Sequence, residues 1–344
     1  MDELVVYNLE TVYSSIKDVL IKARKTAFRA INFAMVQAYR EIGRIIVEEE
    51  QHGKDRAEYG KSLIQNLSKR LTIDFGKGFT PTNLKYFRQF YLTFQISHSL
   101  RDELTWTHYR FLLKIDNPDA RNFYMIESIN NNWSTRELER QINSLLFERI
   151  ALSKEKDAVK ELSTKGQIIQ EPADIIKDPY ILEFLGLKEN KAYLEKDLER
   201  ALLDKLQEFM MELGKGFCFV ARQKRITVEG DHFYIDLVFY NYLLKCFVLI
   251  DLKTGKLTHQ DIGQMDFYVR YYEKEIKPEG DNPTIGLILC TDKNDTMIKY
   301  TLIEDSKQLF ASRYKLYLPS EEELKEEIER EKKFLEINKE VNEK

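Results

Sequence analysis

The chain has 344 residues, 43% of them hydrophobic and 32% charged, with a formal net charge of -4. That length suits about two domains, and that composition a soluble globular protein with ample apolar residue for a core. The charge balance excludes a uniformly basic chain that coats nucleic acid, but not a local basic patch.

No window approaches the roughly 18 uncharged apolar residues of a membrane span. The opening MDELVVYNLE lacks the basic start and long apolar run of a signal peptide. Cys218, Cys246 and Cys290 lie far apart in apolar runs, make no metal spacing and read as buried free thiols. A reducing compartment fits them, so a cytoplasmic protein is expected.

Residues 9–50 carry apolar side chains at spacings of three and four, from Ile16, Leu20 and Ala23 through Ile31 and Ala34 to Ile42 and Ile46. This is one stripe of a long amphipathic helix. Residues 59–94 read as helix, glycine turn (Gly76, Gly78) and helix, with Thr80 as N-cap and Pro81 in the first turn. In that helix-turn-helix outline the second helix presents Asn83, Lys85, Arg88 and Gln89, either to DNA or to solvent. Further helices are predicted at 104–115, 121–129 and after Trp133, where Ser134 and Glu137 have capping-box spacing. His108, with no metal-type residue at helical spacing, reads as a packed or surface histidine. Residues 154–179, polar and holding Pro172 and Pro179, read as a linker.

A second helix is predicted over 190–213, with Leu194, Leu198, Leu202, Leu206 and Phe209 on one stripe and Glu195, Asp197 and Glu199 in its first turns. Strands follow at 217–228, at 233–240 and at 246–253, then a helix at 258–272, a buried strand at 284–290, a helix near 295–303 and a strand at 314–318. The tail from 320 is a charged helix. The fold class is therefore α/β (α+β): an all-helical N-terminal domain (1–165), a mixed sheet flanked by helices (166–319) and a charged C-terminal segment (320–344).

The chemistry concentrates in FYIDLVFYNYLLKCFVLIDLK, residues 233–253. Two apolar runs rich in Phe, Tyr, Val, Ile and Leu form a predicted hairpin, and each carries an acid, Asp236 or Asp251. By alternation Asp236 shares a face with Tyr234 and Val238, and Asp251 shares one with Lys253 and Leu249. A charge inside a buried strand is costly unless it is paired or binds metal, so the trio is either a structural ion pair or a site. Mg²⁺ takes one or two carboxylates plus water and phosphate oxygen. Asp236, Asp251 and the Leu252 carbonyl offer such oxygens, Lys253 can orient an attacking water, and Glu199 or Glu195 can add a carboxylate. Arg222, Gln223, Lys224 and Arg225 form a cluster that either grips phosphates or solvates a strand. His232 and His259 read as surface or capping residues.

IDLVFYN followed by LIDLKTGKLTHQDIGQMDFY resembles the PD-(D/E)xK nuclease superfamily. The whole chain is similar to the bacterial YhcG-type nucleases through AEYGKSLIQNLSKRL, FGKGFTPTNLKYFRQFY, LTWTHYRFLL, WSTRELERQI and ELGKGFCFVARQKRI. The resemblance implies a Mg²⁺-dependent deoxyribonuclease, with Mn²⁺ able to substitute. Asp236 would be the motif acid of the second core strand, Asp251 and Lys253 the acid and lysine of the third, and Glu199, or else Glu195, the acid of the first core helix. Gln264 and Tyr268 match a Gln-x-x-x-Tyr pattern placed near the phosphate or bracing the lysine; unaided, the residues read equally as a polar edge and a packing tyrosine. DNA is the expected partner, through Arg222, Gln223 and Arg225 and through Asn83, Lys85 and Arg88, with no membrane contact. Self-association is expected through the N-terminal helices or the C-terminal helix. The alternative is a nuclease fold that binds DNA or a protein without cutting.

Overall fold

A computed structural model describes residues 9–52, 56–94, 100–151, 156–187, 194–293, 307–320, 322–326 and 329. The chain divides into two compact units, residues 1–139 and 140–344.

In the first unit α1 (Leu9–His52) is the long helix that the apolar spacing predicts. Its later turns are buried: Ile46 joins Ile64 of α2 (Arg56–Phe75) and Leu84 and Phe87 of α3 (Pro81–Thr93) in one core. Tyr39 stacks on Phe87 at a centroid distance of 4.3 Å. A Cβ on Gly43 would stand 2.0 Å from the Phe87 carbonyl oxygen, so only glycine lets α1 and α3 approach this closely. The earlier turns depart from the expected buried stripe, because Ile16, Leu20 and Ile31 are exposed.

The Thr80 side chain accepts the Asn83 N–H and Pro81 opens α3, as its sequence predicts. The helices α4 (Trp106–Leu112) and α5 (Pro118–Asn130) follow. His108 is buried, caps Thr105 through Nδ1 and faces the Trp133 carbonyl at 3.0 Å through Nε2, which makes it a packed histidine. Ser134 and Glu137 form the reciprocal capping box that starts α6 (Thr135–Asn143).

The second unit is built on a six-stranded sheet in the order β1-β6-β5-β4-β3-β2. The strands are β1 (Tyr180–Ile181), β2 (Phe217–Val228), β3 (Asp231–Asn241), β4 (Cys246–Lys256), β5 (Ile285–Asp292) and β6 (Leu309–Lys315). β2, β3 and β4 are antiparallel, whereas β4, β5, β6 and β1 run parallel. The continuous apolar runs of β4 and β5 fit strands covered on both faces. On one face Leu237, Ile250, Leu252 and Leu287 pack with Leu198 and Leu202 of α9 (Glu195–Asp204) and Phe209 and Leu213 of α10 (Leu206–Leu213). On the other, Val238, Leu249 and Ile288 pack with Ile262, Met265 and Tyr268 of α11 (His259–Tyr271).

Several expectations need correcting. The segment read as a linker carries α8 (Lys156–Lys165) and a 3₁₀ turn at Pro172–Ile175, and α7 (Leu146–Ala151) precedes it. The helix expected over 190–213 is two, divided at Lys205, and residues 190–193 lie outside the described part. The last strand begins earlier than expected, at Leu309. Cys246 and Cys290 are buried, but Cys218 is exposed on the edge strand β2. The helix expected near 295–303 and most of the C-terminal tail fall outside the described residues.

Fully buried Glu212 of α10 ties this unit together. Its carboxylate accepts from Arg149 at 2.6 Å, Arg140 at 3.1 Å and the Ile181 N–H at 3.0 Å. Lys177 donates to the Glu212 carbonyl.

Candidate active site

The β3–β4 hairpin positions the site. Buried Asn241 accepts the N–H groups of Leu243 and Leu244 and donates to the Lys215 carbonyl, which fixes the turn that also contains Lys245 at φ +50°. The paired ladder between β3 and β4 runs from Asn241–Cys246 to Leu237–Ile250. At Asp236 the strands part. Ile235 packs under α11 while Leu237 packs toward α9, so the strict alternation expected along β3 breaks at the acid itself. Asp236 then does with its side chain what the ladder no longer does: its Oδ2 accepts the Leu252 N–H at 2.8 Å.

Asp251 and Lys253 lie on one side of β4, as alternation requires, with Nζ 2.8 Å from Asp251 Oδ2. Asp251 is almost wholly buried, and burial together with the neighbouring Asp236 charge pushes its carboxyl up to about 7, against the pull of Lys253. Among the described residues this buried oxygen meets no hydrogen-bond donor apart from the Lys253 ammonium. For Lys253, burial lowers the ammonium and Asp251 outweighs it, lifting the group to about 12. Two further acids ring the ammonium, Glu195 at 3.7 Å and Asp261 at 3.8 Å.

The two helix acids left open by the sequence serve different ends of the site. Glu195 reaches Lys253 and the Thr254 N–H. Glu199, buried on α9, turns to the Asp236 end, where the Gln223 amide donates to Glu199 Oε2 at 2.7 Å and to Asp236 Oδ1 at 2.9 Å. Burial raises the Glu199 carboxyl above its ordinary value. Gln223 therefore reaches the acids although, like Arg222, Lys224 and Arg225, it is exposed along the sheet edge. On α11 Gln264 donates to the Tyr268 hydroxyl, which donates to the Tyr234 carbonyl at 2.9 Å and so braces β3 just before Asp236. His232 meets Thr227 at the β2–β3 turn and His259 opens α11.

Asp261 is a site neighbour that sequence reasoning missed. It caps α11 by accepting from Thr258, and that helix-start pattern hides the oxygen it turns to Lys253. In the first unit Lys85 is exposed on α3, Asn83 donates to the Gly78 carbonyl at 2.8 Å, and Arg88 pairs with Glu50 at 3.3 Å.

Among the described residues no three of His, Cys, Asp and Glu converge closely enough to hold an ion by themselves. Two carboxylates completed by water and phosphate oxygen are the ordinary way Mg²⁺ is bound. The buried Asp251 carboxylate, whose Oδ2 has no donor but Lys253 among the described residues and which lies beside a second acid, fits a hard cation.

Residues 173–329 match the family described as YhcG PDDEXK nuclease domain, and residues 15–149 match the DUF1016 N-terminal domain. An Escherichia coli (strain K12) protein bearing the name "Putative nuclease YhcG" is 37% identical over 359 aligned positions, covering 95% of this chain and 95% of its own. The chain belongs to the YhcG nuclease family. Its PDDEXK-type domain contains all of Glu199, Gln223, Asp236, Asp251, Lys253, Gln264 and Tyr268. Two solved structures share a slighter likeness, too low to carry an assignment. A repair endonuclease from Pyrococcus abyssi has a TM-score of 0.26 and 21% identity over 38% of this chain and 50% of its own. An EndoMS–dsDNA complex has a TM-score of 0.26 and 17% identity over 39% of this chain and 50% of its own. Among the described residues no helix is long and apolar enough to cross a membrane.

Proposed function

We propose that this YhcG-family chain is a Mg²⁺-dependent nuclease that hydrolyses DNA phosphodiester bonds, with Mn²⁺ able to replace Mg²⁺. The observation that carries this reading is the convergence of Asp236, Asp251 and Lys253, with the Lys253 ammonium 2.8 Å from Asp251 and the Asp251 and Asp236 carboxyls facing each other. Asp236 and Asp251 would hold the ion, with the Leu252 carbonyl and Glu199 completing the oxygen set. The ion supplies charge neutralisation at the scissile phosphate and a lowered pKa for its bound water.

The chain's own groups do the rest. Lys253 holds a proton donor beside Asp251, where it orients the attacking water and offsets charge on the phosphate. Glu195 and Asp261 keep that ammonium in place. Gln264 and Tyr268 brace the strand that carries Asp236. Arg222 and Arg225 on the exposed edge, with Gln223 between them, supply the near DNA contact, and Asn83, Lys85 and Arg88 of the helical domain a second one. The helical domain (1–165) would bind DNA or a partner, the domain at 166–319 would cut in the cytoplasm, and copies would associate through the N-terminal helices or the segment 320–344.

The test is cleavage of single-stranded, duplex and branched DNA with Mg²⁺ and with EDTA. Wild type should cut only with metal, and Asp251→Ala and Lys253→Ala should each lose at least a hundredfold in rate, the scale of a lost preorganised electrostatic group. Cleavage surviving both substitutions would sink this function. Metal-dependent DNA binding without cleavage would point instead to a nuclease fold used only for binding.

A further inference from the structure

We propose that Gln223 is a positioning residue of the acidic site: its carboxamide bridges Glu199 and Asp236 and draws the helix acid into the cluster that would hold the ion. This rests on reading the cluster as a divalent-metal centre.

The backbone is the first observation. Gln223 sits inside a strand at φ +43°, a left-handed conformation that a side chain larger than glycine seldom adopts. Its neighbours keep the ladder, Arg222 opposite Leu237 and Lys224 opposite Ile235, so Gln223 stands across from Asp236. Departures of this kind are unfavourable and gather at functional sites. Here the departure brings one side chain of an exposed edge strand onto the acids, while Gln223 itself remains as exposed as Arg222 and Lys224 beside it.

The second observation is the bonding. One amide nitrogen carries two hydrogens, and its partners at 2.7 and 2.9 Å are one carboxylate from α9 and one from β3. Without it, buried Glu199 would face the like charge of Asp236 with no hydrogen bond joining the two, and with the charges of Arg222 and Lys196 left to offset it. A lysine in this place would also bridge them, but its charge would oppose a divalent cation. A neutral amide joins the acids and leaves their negative charge for the ion. Its length matters as well, because asparagine falls one methylene short of either partner.

The test is Mn²⁺ binding to the full-length, DNA-free protein, read from the free-ion electron paramagnetic resonance signal, so that no turnover enters. Gln223→Ala, Glu199→Ala and their combination are compared, with Gln223→Asn as a second bridge-breaking variant and far-UV circular dichroism in EDTA as the check on folding. Loss of a group that orients a metal ligand commonly weakens binding 10–100-fold, and about tenfold is expected for each single substitution at Gln223. Because Gln223 acts through Glu199, the double variant should bind no worse than the weaker single one. Wild type that binds Mn²⁺ while Gln223→Ala binds it within twofold overturns the role, as do losses that multiply in the double variant. Failure of both Gln223 variants to fold would make the residue purely structural and end the proposal. Wild type that binds no Mn²⁺ would sink the metal-centre reading itself, and this role with it.

Discussion

Asp251 carries the sharpest conflict in the protein. Its carboxyl lies almost wholly buried beside a second acid, and among the described residues one of its oxygens has no hydrogen-bond donor but the Lys253 ammonium. The Lys253 ammonium offsets part of that charge, while Glu195 and Asp261 compete for the same ammonium. An added divalent cation would relieve the excess. Mg²⁺ at 100 times its dissociation constant should therefore raise the unfolding free energy by about 2.7 kcal/mol. Asp251→Asn, which keeps the shape and removes the charge, should erase that gain and stabilise the metal-free protein. Thermal unfolding with EDTA and with Mg²⁺ checks both, and a variant whose Mg²⁺ response equals that of wild type would remove Asp251 from the ion. The pair Asp251 and Lys253 was legible in the sequence, since two residues along a strand return to the same side. Gln223 was not. Nothing in ARQKRI announces a left-handed residue, so its place in the basic run sets it among expected phosphate contacts.

At the scale of elements, α10 meets α7, α6 and β1 through one buried carboxylate. Burial alone would raise Glu212, but Arg149, Lys177 and Arg140 overcome it and hold the group down at about 2. A carboxyl whose folded value is depressed stabilises the fold fully above its unfolded value, near 4.5. The stabilisation is then lost as pH falls from about 4.5 toward 2. Glu212→Gln leaves Arg149 buried without its counter-charge and should cost roughly 3–5 kcal/mol at neutral pH. Below about pH 3 the gap to wild type should narrow sharply. Urea unfolding at pH 7 and pH 3 measures it, and an equal gap at both would disprove the assignment. The same elements show why parts of the fold escaped sequence reading. The α8 sequence KDAVKELSTK is polar almost throughout and reads as loop. In β6, LFASRYK breaks its apolar run with Ser312 and Arg313, both buried, and Arg313 donates to Asp178, which is distant in sequence. The strands β3, β4 and β5 were readable because their runs are rich in aromatic and β-branched residues, broken in β3 and β4 by a single acid each before the polar end of β4.

For the whole molecule the open matter is the first half of α1. From Leu9 to Met35 its large apolar side chains, among them Val12, Ile16, Val19, Leu20 and Ile31, stay largely exposed, while Val36, Ile46 and Val47 are buried. Leu9, Val12, Ile16 and Val19 recur at the alternating three–four spacing of a coiled-coil seam, and Ala23 and Ala30, on either side of Thr26, extend it with small residues that allow close approach. An apolar face sustained over about 40 Å of helix is larger than soluble monomers usually leave open. A second copy is the partner that brings an identical seam, and a two-fold pairing of α1 would close without leaving an unpaired end. Light scattering should therefore give twice the 40.9 kDa of one chain. Ile16→Lys combined with Leu20→Lys, two charges on an exposed surface that costs the fold nothing to alter, should return the mass to one chain with unfolding unchanged. A wild type that scatters as a single chain at micromolar concentration would assign this face to a different partner.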